Sequence, residues 1–342
     1  MLNYISILLI FIFVSCSVDP EIKPKLPSND IKEIIPEGWP QPVYRFENNP
    51  LTQEGFELGR ALFYEEMLSS NNTISCGSCH QLFSAFANAD HRFSHGINDS
   101  LGNRNAPGLF NMNWNTSFMW DGGINHIETQ PLAPIVNPIE MNENLNNVVT
   151  KLSASNKYKQ LFKNAFDSEE ITTQKILKAF AQFQGVLYSY NSKYDQYKRN
   201  ETTFTNEEIS GYNLFIQKCN ACHREPLFTD HEYKNNGLPI DPTINDFGRE
   251  KITGNASDKF KFKTPSLRNI ALTAPYMHDG RFNTLDQVLN HYSNGITSIT
   301  NLDSSLQSGI PLTTSEKSNL KAFLLTLTDY KFIQDERFKD PN

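Results

Sequence analysis

The sequence has few cysteines, little strand-like alternation and no apolar run as long as a membrane-spanning helix. Cysteine accounts for 5 of the 342 residues, and the nearly apolar run at residues 5–14 falls short of the roughly 20 residues that a span requires. Basic residues are not in excess either, since 31 Lys and Arg face 38 Asp and Glu and give a formal net charge of −7. This mild acidity argues against nucleic acid as a partner, and the scarce alternation argues against a fold built mainly on β-sheet.

Four of the five cysteines fall in two copies of one motif, Cys-x-x-Cys-His. The copies lie in SCGSCHQLF, residues 75–83, and in KCNACHREPLF, residues 218–228. At the cysteine and histidine frequencies of this chain, chance would supply only about 0.002 such motifs. A zinc ribbon would place its cysteine pairs roughly 15–20 residues apart, and a redox dithiol of the thioredoxin type would need a βαβ surround. Neither alternative accounts for the histidine that follows both pairs.

Covalent attachment of haem c accounts for every fixed position of the motif. The two thiols add to the vinyl groups of one haem, and the adjacent histidine lies under the iron as its proximal ligand. The sequence therefore predicts two haem c groups. The predicted attachment residues are Cys76, Cys79, Cys219 and Cys222, and the predicted proximal ligands are His80 and His223.

Haem c is assembled outside the cytoplasm, so the chain should carry an export signal. Residues 1–16 hold the apolar core of a signal peptide and end at Cys16, which resembles the bacterial lipobox, where the cysteine is lipidated. The alternative is an ordinary exported protein with a spare cysteine. Residues 17–45 contain six of the 18 prolines and are expected to form an extended tether. We therefore predict a protein of the bacterial periplasm that meets a membrane only through an N-terminal lipid.

The chain contains an internal repeat, in which a similar short sequence precedes each haem motif. GRALF at residues 59–63 precedes the first haem motif, and GYNLF at residues 211–215 precedes the second. Both sequences share G-x-x-L-F and lie in helix-like runs. We therefore expect a mostly α-helical protein with two domains, residues 46–203 and 204–342, each closing around one covalently bound haem c.

Helix signals are clear in the second half of the chain. Thr205 with Glu208, and Thr313 with Glu316, have the spacing of a capping box. An apolar stripe with i, i+3, i+4, i+7 spacing follows the second pair. Its members are Leu320, Phe323, Leu324 and Leu327.

The sequence between and after the haem motifs resembles one protein family. The runs RNAPGLFN, WDG and NPIEM within residues 104–141, and TPSLRNIALTAPYMHDG at 264–280, resemble the bacterial di-haem cytochrome c peroxidase and MauG family in content and order. The resemblance covers about residues 46–335. It implies two cytochrome-c-like domains with a calcium ion between them. It also implies that hydrogen peroxide is reduced to water at the first haem, while the second takes up electrons from a small donor such as a cytochrome c or a cupredoxin.

The resemblance assigns expected roles to individual residues. Glu140 matches the family glutamate that moves protons on peroxide, and Gln130 and Pro134 match residues that line the same pocket. Trp120 matches the tryptophan between the two haems. The implied calcium ligands are Asn105, Thr273 and Pro275, two of them through backbone carbonyls.

The resemblance also implies sixth ligands for the two irons. His95, in SHG, matches a loop histidine that binds the first iron at rest in many of these peroxidases. In the peroxidases, the sixth ligand of the second iron is a methionine that lies fourteen residues after the histidine of an HDG motif. The matching histidine in this chain is His278, and the residue fourteen positions after it is Tyr292. Tyrosine is the ligand in MauG-like members, while Met277 and an open or water-bound iron are the alternatives. His278 is not expected to bind iron. Solvent-facing or structural roles are expected for His91, His126, His231 and His291.

Two other functions stay open at this point. A MauG-like enzyme would oxidise residues of a partner protein, and a plain di-haem cytochrome would only transfer electrons. Glu140 together with Gln130 argues against the plain cytochrome, because electron transfer alone needs no proton shuttle. A homodimer is a possible assembly.

Overall fold

The computed structural model describes residues 31–89 and 91–341, and these residues form a mostly α-helical structure. The predicted signal peptide, Cys16 and the first part of the predicted tether lie outside the described residues. The helices are α1 (Gln53–Phe63), α2 (Cys76–Cys79), α3 (Leu132–Val136), α4 (Leu145–Ala154), α5 (Asn156–Phe166), α6 (Thr173–Gln184), α7 (Lys193–Lys198), α8 (Asn206–Lys218), α9 (Glu250–Thr253), α10 (Leu285–Asn290), α11 (Thr314–Leu325) and α12 (Tyr330–Ile333). In the part of the chain that the structure describes, no helix is both long and apolar enough to cross a membrane.

The two sequences of the G-x-x-L-F repeat build the same kind of helix crossing. In the first, α1 packs on α6, and a Cβ at Gly59 would lie 2.0 Å from the carbonyl oxygen of Ala179. In the second, α8 packs on α11, and a Cβ at Gly211 would lie 1.9 Å from the carbonyl oxygen of Asn319. Glycine is therefore needed at both positions because the helix backbones approach closely.

The phenylalanine that ends each repeat packs beside its glycine. The Phe63 ring lies 5.1 Å from that of Phe183, and the Phe215 ring lies 5.0 Å from that of Phe323. All four rings are fully buried. Such aromatic pairs add stability beyond the area they bury.

Two apolar cores form around these crossings. The first contains Phe63 and Phe183, and the second contains Phe215 and Phe323. The predicted stripe of α11 is buried in the second core. The C-terminal segment returns to the first core, where its phenylalanines at 332 and 338 pack.

Both predicted capping boxes form. Thr205 accepts a hydrogen bond from the backbone N–H of Glu208, and Thr313 accepts one from that of Glu316. In each case the backbone N–H of the threonine donates in turn to the glutamate carboxylate. The starts of α8 and α11 are thereby fixed.

A short antiparallel pair of strands in the second half of the chain contacts the segment around Trp120. Strand β1 (Tyr233–Lys234) pairs with β2 (Phe262–Lys263). The backbone N–H of Lys263 donates to the carbonyl of Trp120 at 2.8 Å. The sheet therefore ties the segment that carries Trp120 to the region that follows the second haem motif.

Candidate active site

The first haem motif begins on α2 and turns sharply at its histidine. The Nδ1 atom of His80 lies 2.6 Å from the carbonyl oxygen of Phe86. Because a carbonyl can only accept, Nδ1 is the protonated nitrogen and Nε2 keeps its lone pair. Phe86 holds this carbonyl in place from a left-handed backbone conformation, with φ of 58°.

The second haem motif repeats this arrangement at the end of α8. Nδ1 of His223 lies 3.1 Å from the carbonyl oxygen of Phe228 and 3.2 Å from that of Pro265. Phe228 is also left-handed, with φ of 56°. Burial lowers the pKa of both motif histidines, which favours the neutral imidazole that binds iron.

The donor set at both motifs fits haem c. The four motif cysteines are free and partly buried, each pair has the spacing that haem attachment requires, and each histidine presents an unprotonated Nε2. A carbonyl on the other ring nitrogen is the usual partner of a metal-binding histidine, because it fixes the ring orientation. These residues would hold one haem at each motif.

Glu140 lies beside the first haem motif. It sits in the turn after α3, and Asn137 donates to its Oε1 atom at 2.7 Å. Burial raises the pKa of Glu140, although the bond from Asn137 opposes this. Burial also raises the pKa of the Cys76 and Cys79 thiols, and the nearby Glu140 carboxylate adds to the rise. The carboxyl group thus lies near enough for its charge to act on both thiols of the motif.

Gln130 and Pro134 belong to the same segment as Glu140. Gln130 is buried, and its Oε1 atom accepts from Nε2 of Gln184 on α6 at 3.2 Å. The carbonyl of Pro134 accepts from the backbone N–H of Met141 at 3.3 Å. These bonds fix α3 relative to α6 and to the turn that carries Glu140.

The loop that carries His95 also lies at this site. A Cβ at Gly96 would lie 2.1 Å from the carbonyl oxygen of Ile139, and the N–H of Ile97 donates to the carbonyl of Glu140 at 2.8 Å. His95 is exposed, and its Nδ1 atom lies 2.5 Å from a carboxylate oxygen of Asp99. The structure therefore brings His95 and Glu140 into neighbouring turns.

Trp120 lies where segments from the two halves of the chain meet. Its Nε1–H donates to the carbonyl of Asn105 at 2.8 Å, and the N–H of Asn105 donates to the carbonyl of His278 at 2.8 Å. Next to it, Arg104 bonds to Asp121 and to Asp246 at 2.6 Å each. Trp120 is thus held where contacts from the first and second halves of the chain meet.

Of the residues expected to bind calcium, Asn105 lies at the same junction. Asn105 is buried and contacts His278, which follows Thr273 and Pro275 along the chain. Amide and carbonyl oxygens of this kind suit calcium. In the described ranges, 31–89 and 91–341, no group of three or more His, Cys, Asp and Glu side chains is placed to hold a metal ion.

Tyr292 lies beside the second haem motif. It follows α10 in a π-helical turn, His291–Gly295. Burial raises the pKa of its phenol, a hydrogen bond from Asn236 lowers it, and the charges of Cys222 and Cys219 raise it. The phenol therefore lies within the electrostatic reach of both cysteines. Met277, the alternative ligand, accepts a bond from the Asn236 side chain at its sulphur, with 3.6 Å between the atoms.

The other histidines occupy varied places. His91 and His126 are exposed, and His291 is buried with Nε2 3.0 Å from the carbonyl oxygen of Asn236. His278 stacks on Phe262 with 3.6 Å between ring centres. The structure gives the two ring nitrogens of His231, which are buried, no hydrogen-bond partner among the described residues.

Sequence reasoning missed the residues that hold these side chains. Asn137 stood in the NPIEM run and could have been found, because an amide three residues before a glutamate in a turn can reach its carboxyl group. Gln184, Asn236 and Asp246 carried no local signal. Each contacts a partner more than forty residues away in the chain.

The chain is similar to known proteins over most of its length. Residues 53–203 match the family model described as di-haem cytochrome c peroxidase. The chain is 36% identical over 304 residues to the methylamine utilization protein MauG of Methylorubrum extorquens, covering 85% of this chain and 82% of the relative. It is 35% identical over 283 residues to the cytochrome c551 peroxidase of Nitrosomonas europaea, covering 80% of this chain and 79% of the relative. A solved MauG-like protein associated with microbial copper homeostasis is similar with a TM-score of 0.82 and 35% identity, covering 90% of this chain and 98% of that chain.

Two haem c attachment motifs and a carboxyl group beside the first define an oxidoreductase site. The similarity extends over most of this chain and of each relative, so the chain belongs to the di-haem cytochrome c peroxidase family. The predicted family membership is confirmed, and the family implies two haem c groups. The predicted mostly helical fold is also confirmed.

Proposed function

We propose that the protein reduces hydrogen peroxide to water at the first haem motif, with electrons from a small donor such as a cytochrome c or a cupredoxin. One peroxide, two electrons and two protons give two waters. The observation that carries this proposal is the partly buried carboxyl group of Glu140, whose backbone packs on the His95 loop and whose charge acts on the thiols of Cys76 and Cys79. A plain electron-transfer cytochrome has no use for such a group.

The cofactors would be held by the two haem motifs. Cys76, Cys79 and His80 hold the first haem, and Cys219, Cys222 and His223 hold the second. When bound, haem iron supplies the redox chemistry that cleaves the peroxide bond. Residues 46–203 and 204–342 are two cytochrome-c-like domains in this proposal, and the repeated glycine-dependent helix crossing supports it.

Glu140 is the proton carrier. A raised pKa keeps the group near the point where it can both accept and release a proton. Its carboxylate accepts the proton from the inner oxygen of peroxide and returns it to the leaving oxygen. Asn137 keeps one carboxyl oxygen in a fixed position through its 2.7 Å bond. Gln130 and Pro134 shape the space around peroxide.

Trp120 lies on the route between the two haems. Its contacts with Asn105 and Lys263 keep the indole in place at the junction of the two halves. Electrons that pass between two bound haems would cross this region. His95 would be a resting ligand of the first iron, and the packing of its loop on the backbone of Glu140 supports this role.

A MauG-like activity is the second candidate function. The burial of Tyr292 within the electrostatic reach of Cys219 and Cys222 favours it, since a tyrosinate ligand would stabilise the oxidised states of iron and suit storage of oxidising power. In that case the electrons come from residues of a partner protein.

The surroundings of the enzyme complete the proposal. Asn105, Thr273 and Pro275 bind a calcium ion, and the protein resides in the bacterial periplasm, where a homodimer is a possible assembly.

Cys16 carries the lipid anchor. The variant Cys16→Ser should appear in the soluble periplasmic fraction, whereas the unmodified protein should sediment with membranes; a soluble unmodified protein would refute the anchor.

The experiment that tests peroxide reduction is turnover of the purified holoprotein with peroxide and a reduced small cytochrome. Glu140→Gln should keep both haems by intact mass and lose about 10²–10⁴-fold in turnover, the usual contribution of acid–base catalysis. Glu169→Gln, at an exposed glutamate, is the matched control and should keep the full rate. Near-normal turnover of Glu140→Gln would remove Glu140 from the mechanism.

A further inference from the structure

The side chain of Lys263, on strand β2, is held at the junction beside Trp120. Its Nζ atom donates to the carbonyl oxygen of Ser117 at 2.7 Å, and its backbone N–H donates to the carbonyl of Trp120 at 2.8 Å. The Ser117 hydroxyl hydrogen-bonds to the hydroxyl of Tyr233, the residue that pairs with Lys263 across the two strands. The ammonium group is therefore fixed by contacts with both strands and with the segment before Trp120.

The ammonium group of Lys263 has no carboxylate partner within the described ranges, 31–89 and 91–341. Asp230, which precedes strand β1, is paired with Lys234 instead, with 3.3 Å between Nζ and Oδ2. The imidazole of His231 stays neutral, because burial and the charge of Lys263 lower its pKa to about 4. A buried ammonium without a counter-ion has lost hydration and gained little in return, so an anion from outside the polypeptide is expected to complete this place.

Lys263 faces a recess inside the protein. Its side chain keeps partial access to solvent, yet burial lowers its pKa to about 8. A side chain has both properties when it lines an internal recess and not the outer surface. The same combination of partial access and a pKa shifted by burial is found at His80, His223 and Tyr292, the residues proposed to bind iron. Lys263 thus shares the surroundings of residues that line the space for haem.

The chain that follows Lys263 leads directly to the second haem motif. The carbonyl oxygen of Pro265, two residues later, lies 3.2 Å from Nδ1 of His223. The Thr229 hydroxyl, in the loop after His223, donates to the carbonyl of Thr264 at 2.6 Å. A haem at this motif would bring two propionate carboxylates, which are the anionic groups of the cofactor. A propionate therefore has the chemistry that the ammonium group lacks.

We propose that Lys263 binds a carboxylate and that a propionate of the second haem supplies it. The proposal rests on the proposed function, in which the second haem motif holds haem. The ammonium group orients the propionate and neutralises its charge beside Trp120. An unpaired propionate would stabilise ferric iron through its negative charge, so pairing with Lys263 makes the second haem easier to reduce.

The test uses the holoprotein with isotope-labelled haem propionates and the variant Lys263→Met, which keeps the side-chain length and removes the charge. The labelled carboxylate band should shift in redox-difference infrared spectra. Spectroelectrochemistry should show the ratio of reduced to oxidised second haem, at a fixed applied potential, falling by about tenfold through loss of one buried unit charge. The first haem should not change.

The control variants separate a lost ion pair from a disturbed fold. Lys261→Met, two residues earlier, removes a charge that already faces Asp258 at 3.2 Å, and it should change neither the band nor the ratio. Lys263→Arg keeps the positive charge and should restore both. If Lys263→Met folds poorly, Lys263→Gln decides by the same two measurements.

Three results would overturn the proposal. A labelled band that stays in place in Lys263→Met would show that no haem carboxylate is bound; if the wild-type ratio then varies with added acetate, the anion is a free one. A change confined to the first haem would assign the carboxylate to the other cofactor. A wild-type mass without the second haem would remove the premise. Failure of the proposed function is seen separately, as two attached haems and the expected band shift without peroxide turnover.

Discussion

At the scale of single residues, the carboxyl group of Glu140 is balanced between two opposing influences. Burial raises its pKa, and the hydrogen bond from Asn137 lowers it. The base form is the ionised one, so peroxide turnover should fall as pH falls through this pKa. Any change that weakens the bond from Asn137 should raise the pKa further, and the loss of activity should begin at a higher pH.

We predict that Asn137→Ala shifts the acid limb of the pH profile of kcat/KM upward by about one pH unit. Asn137→Asp should shift it further, because a second carboxylate faces Glu140 while the acceptor that Asn137 offers to the N–H of Ile139 is kept. Asn146→Ala, at an exposed asparagine on α4, should leave the profile unchanged. An unshifted profile in both Asn137 variants would show that this bond does not set the pKa of Glu140.

At the scale of helices, Gly59 and Gly211 are positions where the fold leaves no room for a larger side chain. An added methyl group at Gly59 or Gly211 would meet a backbone carbonyl oxygen, which cannot turn away as a side chain can. The helices must then move apart, and overpacking of this kind typically costs about 1–3 kcal/mol.

We predict that Gly59→Ala and Gly211→Ala each lower the free energy of unfolding of the holoprotein by that amount, measured by chemical denaturation. Gly102→Ala is the control, since its added methyl would lie 3.5 Å or more from its neighbours. It should stay within about 0.5 kcal/mol of wild type. If either variant of the repeat is as stable as wild type, the close approach at that crossing is not a constraint on the fold.

The helix starts and the apolar stripe of α11 were predictable because their signals are local. Thr313 and Glu316 are three residues apart, and the stripe follows the helical period. The haem motifs were predictable for the same reason. The carbonyls of Phe86 and Phe228 that orient the histidines depend on left-handed backbone turns, and the contact of Asn236 with Met277 depends on chain folding over many residues. Neither leaves a pattern in one sequence.

At the scale of the whole molecule, charged side chains hold the first half of the chain to the second near Trp120. Arg104 bonds to Asp121 in its own half and to Asp246 in the other, with both aspartates buried. Burial opposes ionisation of Asp246, yet the hydrogen bonds and charge of Arg104 outweigh it and hold the pKa of Asp246 well below its usual range. This link is therefore a candidate for the acid sensitivity of the folded protein.

The sign of that sensitivity follows from the direction of the pKa shift. A group with a depressed pKa in the folded state stabilises the fold fully above its unfolded pKa of about 3.9, and the contribution is lost as pH falls below that value. We predict that Asp246→Asn lowers the free energy of unfolding by about 1–3 kcal/mol near neutral pH, because Arg104 then keeps only Asp121 as a carboxylate partner. The difference from wild type should shrink as pH falls below about 4. Denaturation of the holoprotein across this pH range measures it, and Glu201→Gln, which removes an exposed ion pair with Arg199, should leave the curve unchanged. A difference between Asp246→Asn and wild type that stays constant down to the acid end would show that the link does not act through the charge of Asp246.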